Sequence, residues 1–404
     1  MKILVVTQYF WPEQFRINDL CNALVERGHE VTVYTGLPNY PEGEFFKGYS
    51  FKGPYSENFG KIKVIRTPLI PRGKKKSLQL IANYISFFMI STLLAPFLLR
   101  GQYDKIFIYQ LSPVFSAIPA ILIKKLKSIP IILWVTDLWP ESLSATGVVK
   151  NKAALSFVQK IVNWIYDNSD MIYISSEGFK KKIVVNGISE NKIKVWPQWA
   201  EAFFDNKISN QEQESLNLPK GFIIMFAGNI GTSQDFETVI ESANLLKNEK
   251  NIHFVILGDG LMKSWSEKKV KEYGIESNFH FLGRKPVEQM PLYYSKADAM
   301  LVSLTDTELF SITIPSKIQS YLAAGKPVLA SLNGEGADVI TKWNAGRACP
   351  ASNPKALANT ILMMNNLSKE ELQSLGRNAL NCYREEFERE KLMTVLINDF
   401  EKLK

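Results

Sequence analysis

Short apolar runs rich in β-branched and aromatic residues alternate with helix-patterned stretches along nearly the whole chain, and this alternation is the strongest constraint on its fold. In the first half the runs are KILVV, VTVYT, KIKVIR, KIFIYQ, IPIILWV, MIYISS and IKVWPQW. Such near-continuous hydrophobicity suits strands covered on both faces, and INDLCNALVERG carries the helical pattern between two of them. Strand and helix in turn predict βαβ units on a parallel sheet. The polar stretch NKISNQEQESLNLPKG interrupts the pattern, which restarts with FIIMFAGNIG, IHFVILGDG, NFHFLGR, ADAMLVSL and KPVLAS. The chain therefore reads as α/β: two similar domains, each with a parallel sheet, and a cleft between them. The expected bounds are 1–203 and 204–385, with a charged terminal helix over 386–404 returning to the first domain. A length of 404 residues with 46% hydrophobic composition supports two cores rather than one.

Charge is distributed unevenly. Residues 1–200 hold 25 Lys and Arg against 14 Asp and Glu, and the remainder holds 23 against 26. A basic first half points to an anionic surface, lipid or nucleic acid, or else to a solvated basic face. The three cysteines, Cys21, Cys349 and Cys382, are far apart and the three histidines do not cluster with them, so reduced thiols, a cytoplasmic setting and no structural zinc are expected. The opening MKILVVTQYFWPEQ reads as a first strand, its apolar run being too short for a signal segment.

One segment departs from the soluble pattern. From Ser77 to Leu99, after PRGKKK, there is no charge, and the stretch is long enough to span a bilayer. Spanning would divide one sheet across a membrane, because KIFIYQ follows almost at once. Gln79, Asn83 and Ser86 form a partial polar stripe. A helix lying in the membrane interface fits these facts, and so does a buried helix of the first domain.

Two motifs point to phosphate chemistry. In LFSITIPSKIQSYLAAGKPVLAS, Pro315 enters a helix, Ser316 caps it, and Gly325 with Pro327 ends it; free N–H groups and Lys317 then form an anion seat. In FAGNIG, Gly228 and Gly231 make a strand-to-helix turn whose N–H groups can approach a phosphate. With FLGRK at the end of a middle strand, these would converge at the carboxyl ends of parallel strands, where doubly wound sheets bind ligands. Arg284 would help Lys317 balance a diphosphate.

The ordered set RGHEVTVYT, DLWPES, FAGNIG, LGDG, FLGR and PSKIQSYLAAGKPVLAS resembles family 4 retaining glycosyltransferases of the two-Rossmann-domain, GT-B type, over nearly the whole chain. It is most similar to the bacterial O-antigen and capsule branch that includes N-acetyl-L-fucosaminyltransferases. The resemblance implies a UDP-sugar donor held by the second domain and an acceptor received by the first, with no cofactor and no metal. Carried over, Gly228, Asn229 and Gly231 line the donor site, and Gly283 and Arg284 lie by the base. Glu308 to Ile312, with Ser311 between them, border the sugar, while Ser316 and Lys317 meet the diphosphate. Ile312 and Ser320 stand where many members have two glutamates, and Gln234-Asp235 stands where a lysine often follows the glycine turn.

In the first domain, Asp137 and Glu141 of WVTDLWPES and Glu13 of FWPEQFRIND are candidates to orient an acceptor hydroxyl or act as base, with Arg16 as an acceptor phosphate contact. Helix capping by Asp137 with a solvated Glu141 is the plainer alternative. His29 reads as a turn filler, and Trp134, Trp139, Trp196 and Trp199 as core or cleft wall. The expected activity is transfer of an N-acetylated or deoxy sugar to a polyprenyl-diphosphate-linked glycan, by an enzyme peripheral on the inner face of the plasma membrane. Nucleic acid is not an expected partner. A UDP-sugar epimerase, a dinucleotide oxidoreductase and a non-catalytic basic membrane-binding protein are the competing readings.

Overall fold

The computed structural model describes residues 1–73, 77–145, 151–205, 208–209 and 216–403. Lys74, Lys75 and Lys76 of the basic cluster and most of the polar stretch after Asp205 lie outside them. Two compact units form, Met1–Pro197 with Glu390–Lys404, and Gln198–Arg389. The first crossing comes six residues before the expected bound because Ala200 belongs to the second unit's core and its carbonyl accepts the Tyr383 hydroxyl at 3.3 Å. The return comes later than 386 because Phe387 is buried in the same core.

The first unit carries eight strands: β1 (Lys2–Val6), β2 (Glu30–Gly36), β3 (Ser56–Phe59), β4 (Ile62–Thr67), β5 (Lys105–Gln110), β6 (Ile131–Val135), β7 (Met171–Ile174) and β8 (Ile193–Val195). Their order is β3-β4-β2-β1-β5-β6-β7-β8, parallel except for β3 against β4. Trp134, Trp196, Phe107 and Tyr173 fill the core, with the Trp134 and Trp196 rings 4.7 Å apart. The helix Arg389–Lys402 closes this unit: Asp399 accepts from the Tyr173 hydroxyl and from Lys194 Nζ, each at 2.6 Å, and Trp196 Nε1 donates to the Leu392 carbonyl at 2.9 Å.

The second unit carries β9 (Phe222–Ala227), β10 (Ile252–Leu257), β11 (Phe279–Gly283), β12 (Ala299–Ser303), β13 (Val328–Ser331) and β14 (Gly346–Cys349), all parallel in the order β11-β10-β9-β12-β13-β14. Strand order reverses direction between β1 and β5 in one sheet and between β9 and β12 in the other, which marks the place where such sheets bind ligands. The twelve expected strands are present. Two more, β3 (SENF) and β14 (GRAC), are edge strands without an apolar run.

The uncharged segment forms one helix, Ser77–Leu98, and it is inside out. Asn83, Phe87, Ser91 and Ala95 are buried, while Leu78, Ile81, Ile85, Met89, Leu93 and Phe97 are exposed, Leu78 by 82% and Leu93 by 67%. The polar stripe faces protein: Gln79 Nε2 donates to the Pro71 carbonyl at 3.2 Å, Asn83 Nδ2 to the Ile70 carbonyl at 2.7 Å, and Ile70 N to Ser86 Oγ at 2.9 Å. The helix is long and apolar enough to cross a membrane. It nevertheless joins β4 to β5, two strands of one continuous sheet.

Candidate active site

In the second unit the carboxyl end of β9 is built on close backbone approach. Gly228 has φ +139°, and a Cβ added there would lie 2.6 Å from Lys317 Cε; a Cβ at Gly258 would lie 1.8 Å from the Gly228 carbonyl oxygen. At Gly258 a side chain would collide with backbone, and at Gly228 it would need both a strained backbone and a displaced Lys317 stem. The N–H groups of this turn are engaged within the protein: Gly228 N donates to Leu257 O at 2.9 Å, Ile230 N to Asp259 O at 2.9 Å, and Gly231 N to Gln234 Oε1 at 3.1 Å. The turn is therefore a floor, and the expected cradle of backbone donors at Gly228 and Gly231 is not what it presents.

The charge above that floor is Lys317. It sits in the first turn of the helix Ser316–Ala323, whose cap is Pro315 in extended conformation, with Ser316 the exposed first helical residue. Ser316 is thus not the cap, because Pro315 already holds the non-helical conformation a cap needs. Tyr321 locks this helix to β9: its buried hydroxyl accepts from Ala227 N at 3.1 Å and donates to Ala227 O at 3.3 Å. Lys317 Nζ lies 4.2 Å from the centroid of the Phe226 ring. The residue is half-buried, but its ammonium end is held in an apolar wall, and desolvation pulls its pKa down to about 7. Ser320, one turn on, lies on the same face of the helix as Ser316.

The other expected donor residues line neighbouring strand ends. Gly283 accepts from Gly258 N at 2.9 Å, and exposed Arg284 follows it, two strands from β9. Glu308–Ser311 is a short helix beyond β12, capped by Thr307 Oγ1, which accepts from Phe310 N at 3.2 Å; Ile312 ends it. A Cβ at Gly334 would lie 2.0 Å from the Ser311 carbonyl oxygen, so the loop after β13 presses on it. Asp235 is buried and accepts from Ser352 Oγ at 2.8 Å, and Gln234 caps Gly231, so this pair stabilises the turn where a lysine was missing.

In the first unit Glu13 is 1% exposed, and its oxygens accept from Phe10 N at 3.1 Å, Asn39 N at 2.8 Å and Tyr40 N at 2.7 Å. Burial raises its pKa to about 7 despite those three donors. It acts as an anchor joining the loops after β1 and β2. Asp137 is half-buried and accepts from Ser112 Oγ, from Ser142 Oγ and from Trp139 Nε1 at 3.2 Å, which fixes the loop after β6. Glu141 heads the five-residue helix Glu141–Ala145 and acts on the buried Tyr166 phenol, whose pKa is raised by desolvation first and by Glu141 next. Arg16 opens the helix Arg16–Glu26 and is half-buried. His29 occupies the turn before β2, its Nδ1 3.3 Å from the terminal amine, and the four tryptophans are core.

Comparisons with known proteins now bear on this geometry. Residues 15–200 match the Glycosyltransferase Family 4 model, and residues 208–381 match the model for Glycosyl transferases group 1. The chain is a glycosyltransferase. It is 29% identical over 258 residues to the glycosyltransferase WbjE of Pseudomonas aeruginosa, a match spanning 61% of each chain. It is 26% identical over 338 residues to the colanic acid biosynthesis glycosyl transferase WcaI of Escherichia coli K12, covering 80% of this chain and 82% of that one. Its structure is similar to Anabaena HepE, solved in complex with UDP, with TM-score 0.72, 14% identity and full coverage of both chains. That likeness is one of fold and fits the GT-B architecture.

Three residues that organise this glycosyltransferase escaped the reading of its sequence. Phe226 supplies the ring beneath Lys317, and Tyr321 ties the helix to β9; both look like ordinary core residues in their segments. Arg72 is the third. It stands in PRGKKK, which was legible only as a basic cluster before the uncharged helix.

Proposed function

We propose that this glycosyltransferase moves a sugar from a UDP-sugar to a polyprenyl-diphosphate-linked glycan, in the assembly of a bacterial surface polysaccharide such as O-antigen or capsule. The observation that carries the donor half is Lys317 lying over Gly228 at the strand-order reversal of the second sheet. A diphosphate placed there would draw the ammonium off the Phe226 face and restore its full charge, aided by the open N-terminus of the helix Ser316–Ala323. HepE being solved with UDP and with UDP-glucose supports the donor class. WcaI being named for colanic acid biosynthesis supports the polysaccharide setting.

In this reading the acceptor hydroxyl oxygen bonds to the anomeric carbon on the face that the diphosphate leaves. The bond from that carbon to the diphosphate oxygen breaks, and the proton passes to the departing oxygen, so configuration is retained without a metal. Charge stabilisation and positioning carry the catalysis. Asp137, half-buried and held by Ser112, Ser142 and Trp139, is the side chain proposed to orient the acceptor. An N-acetylated deoxyhexose such as N-acetylfucosamine is the proposed donor sugar. The apolar face of the helix Ser77–Leu98 and the basic first half support a peripheral seat on the inner face of the plasma membrane. The test is a panel of UDP-sugars incubated with synthetic polyprenyl-diphosphate sugars, with products resolved by mass and anomeric configuration. Transfer with retention is expected; turnover of a UDP-sugar with no acceptor present would sink the proposal.

A further inference from the structure

Arg72 and Arg66 lie in the same unit and differ in one decisive respect. Arg66 is fully buried and committed: it pairs with Glu57 and donates to the carbonyls of Gly36, at 3.0 Å, and Trp11. Arg72 is half-buried, yet among the described residues no carboxylate lies within ion-pair distance of it. Its surroundings are phenolic. Nη1 donates to the Tyr9 hydroxyl at 3.4 Å, the guanidinium carbon stands 5.2 Å from the Tyr40 ring centroid, and the Tyr84 phenol feels the charges of Arg72 and Asp137. The nearby carboxylates are taken up elsewhere, Glu13 by three backbone N–H groups and Asp137 by two serines and a tryptophan.

The backbone holding Arg72 is fixed from three sides. Its N–H donates to Asn39 Oδ1 at 2.9 Å, and Asn39 Oδ1 also accepts from Asn83 Nδ2 at 3.3 Å. Gly73 N donates to Gly43 O at 2.8 Å, and Gln79 and Asn83 tie Pro71 and Ile70 to the helix Ser77–Leu98. A partly desolvated guanidinium without a counter-charge is unfavourable unless an anion completes it, and its planar fork of donors matches phosphate oxygens. The buried Tyr9 hydroxyl is engaged by Gln8 and Asn83, so it backs the guanidinium, and the half-buried Tyr40 and Tyr84 hydroxyls are the ones that can donate to the same oxygens.

We propose that Arg72, walled by Tyr9, Tyr40 and Tyr84, is a diphosphate-binding site of the first unit, set beside the apolar-faced helix so that it takes the diphosphate of a lipid-linked acceptor. This rests on the acceptor half of the reading above and gives it a residue.

The test is calorimetric titration of inorganic pyrophosphate and of farnesyl diphosphate into the Lys317→Ala variant, which removes the donor seat, with and without Arg72→Gln. Arg72→Gln is expected to weaken both ligands about tenfold, and Arg72→Lys to recover part of the loss. Farnesyl diphosphate binding more tightly than pyrophosphate supports a lipid source, whereas equal affinities overturn the lipid assignment. Unchanged binding of both ligands on Arg72→Gln overturns the site. UDP affinity in the Lys317-intact protein is the separating control: its absence would defeat the donor reading alone, and its persistence on Arg72→Gln assigns any lost diphosphate binding to the first-unit site.

Discussion

Lys317 Nζ rests 4.2 Å above the Phe226 ring, with its carbon chain across Gly228. In this position a cation is stored against an apolar surface, and desolvation brings its pKa to about 7. Binding of an anion reverses the desolvation and raises that pKa. Proton uptake therefore accompanies binding above pH 7, and UDP affinity should fall as pH rises from 7 to 9. Calorimetry across that range, in buffers of different ionisation enthalpy, measures both the fall and the proton taken up.

The same relationship lowers stability. The folded pKa of Lys317 lies below the unfolded value of 10.5, so the unfolded chain binds more protons between pH 7 and 10.5, and this group's contribution makes stability rise with pH over that interval. Lys317→Met, which keeps the stem and removes the charge, should raise the melting temperature at pH 6.5 and lessen the pH dependence. Thermal melts at pH 6.5 and 9 check both. A lower melting temperature at pH 6.5 would show that the ammonium stabilises the wall it sits in.

Gly228→Ala meets two penalties, a φ of +139° and a clash with Lys317 Cε. A stability loss of about 1–3 kcal/mol is expected, together with weakened UDP binding because Lys317 must move. Denaturant unfolding beside calorimetry separates the two effects.

Glu13 was a candidate base as legitimate as Asp137 from sequence alone, since both are carboxylates beyond apolar strands. The structure distinguishes them by what surrounds the oxygens. Glu13→Gln can keep an oxygen for Asn39 N and Tyr40 N but turns an amide N–H₂ against Phe10 N, at a cost of about 1–3 kcal/mol. Because the folded pKa of about 7 lies above the unfolded value near 4.5, the group's contribution is complete below pH 4.5 and is lost as pH rises to 7. The variant should flatten that slope and keep kcat within a few-fold. A kcat loss of about a hundredfold would mark Glu13 as a base instead.

What could be read from the sequence was whatever rests on periodicity and turn residues. Twelve apolar runs became twelve strands, whereas SENF and GRAC form edge strands whose pairing comes from neighbours rather than composition. The helix at Ser316 was legible, but not its cap, because Pro and Ser are both good helix-start residues. Gln79, Asn83 and Ser86 were visible as a stripe, and only the loop at 70–72 shows that the stripe faces inward. Lys317 was legible as a charge near a glycine turn. The ring it rests on, Phe226, lies some ninety residues away in the chain, and no local pattern records the burial that lowers its pKa.

Leu93 stands 67% exposed on the apolar face of the helix Ser77–Leu98. Leu93→Glu should alter folding stability by no more than about 0.5 kcal/mol. Binding to vesicles containing anionic lipid should weaken several-fold, read by co-sedimentation. Equal sedimentation of variant and parent would remove this face from the membrane account.

The most direct measurement is the affinity of UDP for the native protein and for Lys317→Ala at pH 6.5, where the ammonium is largely protonated. A loss of about tenfold or more is predicted on removing this charge. Equal affinities in the two proteins would contradict the placement of the diphosphate over Gly228.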